Sequence, residues 1–101
     1  MRKLLVAVVI IAALLALSNH SKSQRGTLPD LRGLKLSLAQ SKARAEGFNR
    51  IESQDATRED RSQLFGDNWK VCSQIPEPGD HSLTTLIAVT VVKTEERCPR
   101  G

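Results

Sequence analysis

The chain has no tyrosine, one tryptophan and two phenylalanines in 101 residues, so Phe48, Phe65 and Trp69 are its whole aromatic inventory. That argues against single-stranded nucleic acid as a partner, because such strands are held by several rings spaced along a basic groove. Cysteine and histidine are as scarce, two of each. Cys72, Cys98, His20 and His81 form neither a C-x-x-C nor an H-x-x-x-H spacing, so no two are placed to share a metal ion. Asp55, Thr57 and Glu59 alternate like the start of a calcium loop. The sixth position is Asp60 where a glycine belongs, and the twelfth is Gly66 where a glutamate belongs. A phosphate-cradling glycine loop and a G-x-S-x-G elbow are also missing. Neither histidine is placed beside a nucleophile that it could activate. A non-catalytic protein with no cofactor and no metal is expected.

Charge of one sign is lacking too. The formal net charge is +4, and Arg2 and Lys3 at the start of the chain contribute two of the 15 basic residues. The remainder carries 13 basic and 11 acidic side chains, with no basic run longer than two. A phosphate backbone calls for a clustered patch, so double-stranded nucleic acid is not an expected partner either.

What the chain does have is one long apolar run, Leu4 to Leu17, placed directly after Met1-Arg2-Lys3 and directly before Ser18-Asn19-His20-Ser21. As a helix it would rise about 21 Å, short of a hydrocarbon core about 30 Å thick. A basic start, an apolar middle and small residues at the exit are the layout of a secretory signal, with Ala16-Leu17-Ser18 as the cleavage candidate before Asn19. The rival is an uncleaved anchor helix through residues 4–17, which would tether the rest outside because Arg2 and Lys3 favour the cytoplasmic side. No cysteine stands directly after the run to accept a lipid. Either way the remainder is expected to be extracytoplasmic, secreted or membrane-anchored.

Residues 1–18 are therefore read as signal or anchor, 19–27 as a polar flexible linker and 28–101 as one small domain. About 83 residues with three rings build a thin core, and a staple is expected. Cys72 and Cys98 are its candidates in an oxidising compartment. Closing a loop of about 27 residues would stabilise by roughly 3.5 kcal/mol on chain-entropy grounds. Reduced thiols or pairing between chains are the alternatives.

Within the domain, Ser37 and Gln40 read as a capping box and Gly47 as a C-terminal stop, giving a helix over 37–46 that lays Ala39, Ala43 and Leu38 on a sheet. Alternation predicts three strands. The first covers 48–54 with Ile51 inward. The second covers 69–75 with Trp69, Val71, Ser73 and Ile75 on one face, and the third 86–94 with Ile87, Val89 and Val91 inward. The segment 55–68 carries six charged residues and reads as a long exposed loop anchored by Leu64-Phe65. If the last two strands form a hairpin, Cys72 lies near Val89, and Glu95-Glu96-Arg97 must double back for the sulfurs to meet.

Four blocks then occur in order. They are Leu28-Pro29-Asp30-Leu31-Arg32-Gly33-Leu34, Ala39-Gln40 with Ala45-Glu46-Gly47-Phe48, Val71-Cys72-Ser73-Gln74-Ile75-Pro76-Glu77-Pro78-Gly79, and Ile87-Ala88-Val89-Thr90-Val91. Together they resemble one PASTA module, the repeat found outside the membrane on penicillin-binding proteins and bacterial serine/threonine kinases. Asn68-Trp69-Lys70-Val71-Cys72-Ser73-Gln74 with Cys98-Pro99 is similar to small exported actinobacterial proteins of this type. Ala43 in mid-helix, the longer 55–68 loop and the cysteine pair depart from the family pattern. The resemblance implies an α+β fold, one helix packed on a small three-stranded sheet. It also implies weak recognition of cell-wall peptidoglycan fragments or β-lactam-like mimics.

The surface expected to do this comprises Arg58, Arg61, Phe65, Trp69 and Lys70, rings for a sugar face and cations for peptide carboxylates. A core role for Trp69 is the competing reading. The alternative function is an envelope adaptor that holds another exported protein through the 55–68 loop.

Overall fold

The computed structural model describes residues 24–100. The signal or anchor expected over 1–18, His20 and the start of the linker lie outside those residues. No described helix is long and apolar enough to cross a membrane.

The described chain is α+β. One helix, α1 (Leu36–Ala45), accompanies five strands: β1 (Arg25–Leu28), β2 (Ile51–Asp55), β3 (Trp69–Ile75), β4 (Gly79–Ser82) and β5 (Ile87–Lys93). β5 is the middle of a three-stranded sheet, parallel to β2 on one side and antiparallel to β3 on the other. β1 and β4 form a separate antiparallel ribbon. The central place of β5 follows from its being the most apolar strand, with Ile87, Val89 and Val91 all buried toward the helix.

The helix starts one residue earlier than the capping box implies. Leu36 is buried and opens it, while the Ser37 hydroxyl donates to the Asp67 carboxylate in the facing 3₁₀ turn and caps nothing. Ala39 and Ala43 are buried as expected, and Leu38 is 46% exposed. At the other end the stop at Gly47 holds: its φ of 96° lets the Gly47 N–H reach Arg44 O and the Phe48 N–H reach Ala43 O, the paired bonds of a Schellman cap. Phe48 is thereby turned into the core, fully buried, and β2 begins only at Ile51.

Three further expectations are corrected. Residues 25–27 are strand, not linker, because main-chain pairing with β4 needs no apolar side chains. Gly26 makes that approach possible, since a Cβ there would lie 2.9 Å from Glu46 O and 2.7 Å from Leu83 Cδ2. The inward phase of β3 does not persist to Ile75. Cys72 forms a bulge between Val71 and Ser73, so Trp69 and Val71 face the core but Gln74 replaces Ser73 and Ile75 as the next inward residue. The buried Gln74 amide is satisfied, accepting the Leu31 N–H at 2.6 Å and donating to Pro29 O and Pro76 O. Finally, Leu64 and Phe65 are 84% and 74% exposed and anchor nothing.

The tail does double back. Thr94 N–H donates to Asn68 O and Glu96 N–H to Lys93 O, turning the chain so that Cys98 meets Cys72 in a disulfide with Cα atoms 5.6 Å apart. The bulge places Cys72 beside Val91 and Thr90, not Val89. On the outward side of β5, Val92 is fully buried although it lies outside the helix-side core.

Candidate functional site

β2 ends on Asp55 with its side chain turned inward and none of it exposed. A buried carboxylate must be hydrogen-bonded to remain charged, and Asp55 accepts five such bonds. Thr57 supplies its N–H at 3.0 Å and its hydroxyl at 2.8 Å, and Arg61 supplies its N–H, Nε at 2.7 Å and Nη2 at 3.1 Å. Arg61 also reaches across to Glu96 in the tail, Nη2 to Oε1 at 2.9 Å, and Glu96 accepts the Lys93 N–H at 2.8 Å. The Arg61 guanidinium carbon sits 5.0 Å from the centroid of the Trp69 ring. Charged loop, core tryptophan and returning tail are thus tied at one arginine.

The electrostatics follow the geometry. The Arg61 guanidinium holds the Asp55 carboxyl well below the usual carboxylate range, against burial that alone would raise it, with Thr57 assisting. Asp55 first, then Glu96, push the Arg61 pKa upward. Glu96 is lowered chiefly by Arg61 and then by the Lys93 N–H. The polar groups of this cluster are mutually satisfied, so it acts as a clamp.

An open cleft of ≈ 370 Å³ lies on the outward face of the sheet next to this clamp. Gln54, Ala56 and Arg58 form one side, Cys98 and Pro99 of the tail another, and Cys72, Ser73 and Thr90 are the strand residues between them. The Ser73 and Thr90 hydroxyls bond to each other. Arg58 is exposed and has a left-handed backbone, φ 66°, which is strained for a residue with a Cβ. The turn that fixes it is made by Arg58 N–H to Asp55 O and by the Asp55–Thr57 contacts.

The five residues expected at a ligand surface are therefore divided. Arg61 and Trp69 come together, but Trp69 is 3% exposed and part of the core, so its ring has no free face for a sugar. Phe65 stands exposed on the loop. Lys70 is half-buried and pairs across an isolated bridge with Lys35. Arg58 alone lines the cleft. Among the residues that organise the site, Asp55 and Thr57 read in sequence only as a failed calcium loop and Glu96 only as part of the returning tail. Asp-x-Thr is a recognisable side-chain-to-backbone turn, whereas Glu96 lies 35 positions from Arg61 and carries no local signal. His81 Nε2 is 2.6 Å from Glu77 O, and among the described residues no three His, Cys, Asp or Glu side chains group as metal ligands.

Comparison with protein-family models, with curated proteins and with solved structures yields no match for this chain.

Proposed function

We propose that this chain is a non-catalytic, extracytoplasmic binding module of PASTA-like type that recognises peptidoglycan fragments weakly. The observation that carries this reading is the ordered set of sequence blocks over residues 28–94, taken with a helix covering a three-stranded sheet. The basic start and apolar run at residues 1–17 support export, by secretion or as a membrane anchor, and the disulfide suits an oxidising compartment. The polar groups near the cleft support holding over transforming: Asp55 is saturated by Arg61 and Thr57, and the two hydroxyls bond to each other. The test is co-sedimentation of the full chain with purified peptidoglycan. Saturable retention in the weak range expected of a lone module without avidity is the predicted result. Retention no greater than that of an unrelated protein of similar charge overturns the reading.

The exposed pair Leu64-Phe65 favours a second reading, an envelope adaptor whose loop inserts two apolar side chains into another exported protein. Deleting the loop would remove Arg61 and strand Asp55, so point changes are needed. Leu64→Ser with Phe65→Ser should abolish a cross-link to such a partner while leaving wall retention intact. If the cross-link survives, the loop is not the adaptor surface.

A further inference from the structure

The geometry points to the cleft under the tail as a thiol-exchange site: an anionic thiol enters it, attacks the Cys98 sulfur and frees residues 97–100 from the sheet, with Arg58 as the cation that draws the reagent in. This goes beyond the binding function proposed above and does not depend on it.

Access comes first. An attacking thiolate needs room beside the sulfurs, and Cys72 and Cys98 both line the open cleft of ≈ 370 Å³. The two cysteines are not equivalent. Cys72 is half-buried at the bulge of β3, whereas Cys98 is exposed on the returning tail. The exposed sulfur is the one a reagent reaches, so Cys72 is the leaving thiolate.

Charge at the cleft favours the same direction. Two charged residues line it, Asp55 and Arg58, while the neighbouring acids Glu59 and Asp60 lie outside its lining. The Asp55 side chain is wholly buried and its carboxylate is taken up by Arg61 and Thr57, so it offers no charge to a visitor. Arg58 takes part in none of the ion pairs among the described residues, which involve Arg25, Arg32 and Arg61. The uncompensated charge lining the cleft is therefore positive. It attracts an incoming thiolate and stabilises the Cys72 thiolate left behind. Two hydroxyls bonded to each other use one O–H between them, so the Ser73–Thr90 pair retains a donor for that thiolate as well.

What the reaction frees follows from the other ties of the tail. Thr94 N–H to Asn68 O, Glu96 N–H to Lys93 O, and the Glu96 carboxylate with Arg61 and the Lys93 N–H hold the chain as far as residue 96. Among the described residues no hydrogen bond or ion pair reaches Arg97, Cys98, Pro99 or Arg100, so the disulfide is the bond that keeps them on the sheet. The reagent forms an S–S bond to Cys98 as the Cys72–Cys98 bond breaks and its electron pair leaves on Cys72. A second thiolate then removes the first from Cys98 as a symmetrical disulfide. Two thiols are oxidised and the protein disulfide is reduced to two thiolates, and the cleft loses the side made by Cys98 and Pro99.

The full chain in nonionic detergent micelles, reacted at low ionic strength with 2-mercaptoethanesulfonate and separately with cysteamine, acid-quenched and mapped by mass spectrometry, tests this. The first adduct should sit on Cys98. The ratio of the sulfonate rate to the cysteamine rate should fall about threefold to tenfold in Arg58→Gln and, in wild type, should shrink with added salt. Arg58→Lys, which keeps the charge, and Arg44→Gln, a cation on α1, should preserve the ratio. In ¹⁵N spectra of the reduced chain the amides of Arg97, Cys98 and Arg100 should move while those of Ala43 and Ile87 stay in place. A first adduct on Cys72, an unchanged ratio in Arg58→Gln, reduction that proceeds only in denaturant, or collapse of the whole spectrum on reduction would each overturn the site.

Discussion

The two ends of this domain are secured by different physics. At the ribbon end, β1 lies on β4, Gly26 approaches Glu46 and Leu83, and Phe48 fills the space beneath; the side-chain polar contacts there, Arg25 with Asp80, Arg50 with Thr84 O, Ser82 with Thr84 and His81 with Glu77 O, are all exposed. At the tail end, a buried carboxylate, an arginine, a glutamate and a disulfide fasten loop 56–65 and residues 94–100 to the sheet. The buried contacts of the ribbon end are apolar and main-chain, indifferent to protons and thiols, whereas the buried contacts of the tail end respond to both. The candidate cleft is built at the responsive end.

The largest expected effect breaks the ribbon end. Phe48→Ala leaves a cavity in a core with few large side chains and should cost about 3–5 kcal/mol, read as a lost or sharply lowered thermal transition. The tail end is broken by Cys72→Ser with Cys98→Ser, which frees a loop closed over a separation of 26 residues and should cost about 3.5 kcal/mol in denaturant titration. A sharper separation comes from acid. Asp55 and Glu96 are both held below their ordinary range, so the native state keeps them ionised where the unfolded chain takes up protons. Their contribution is therefore complete above about pH 5 and is lost as pH falls through about 4 and lower. Asp55→Asn should lower the melting temperature by roughly 5–10 °C at pH 7 and flatten its decline below pH 4. An unchanged acid slope in that variant would show that the clamp does not govern the tail end. The smallest effect belongs to the exposed Arg25–Asp80 pair of the ribbon: Arg25→Gln should change stability by no more than about 0.5 kcal/mol, and what it contributes should fade with added salt.

The same contrast explains what the sequence made legible. Strict alternation in β5 and the glycine stop after α1 are local patterns, and Ile87, Val89, Val91 and Gly47 behave as those patterns require. The pairing of Cys72 with Cys98 was legible from a count of two and from the export-type start of the chain. β1 was hidden because its hydrogen bonds are main-chain and its partner lies more than fifty residues away. The inward Gln74 was hidden by a single bulge, which reverses every side chain beyond it. The clamp was hidden because Asp55 and Glu96 look like any other surface acids until the fold brings Arg61 between them. Trp69, the residue best suited by chemistry to a sugar, went to the core because a domain with three rings has few other large side chains to fill it.

Co-sedimentation of the full chain with purified peptidoglycan, oxidised against fully reduced, tests most directly the claim that the strapped tail end is the binding end. The account predicts retention of the oxidised protein and at least about a tenfold loss on reduction, with Trp69 fluorescence still reporting a folded core. Equal retention of a reduced, folded protein would contradict it.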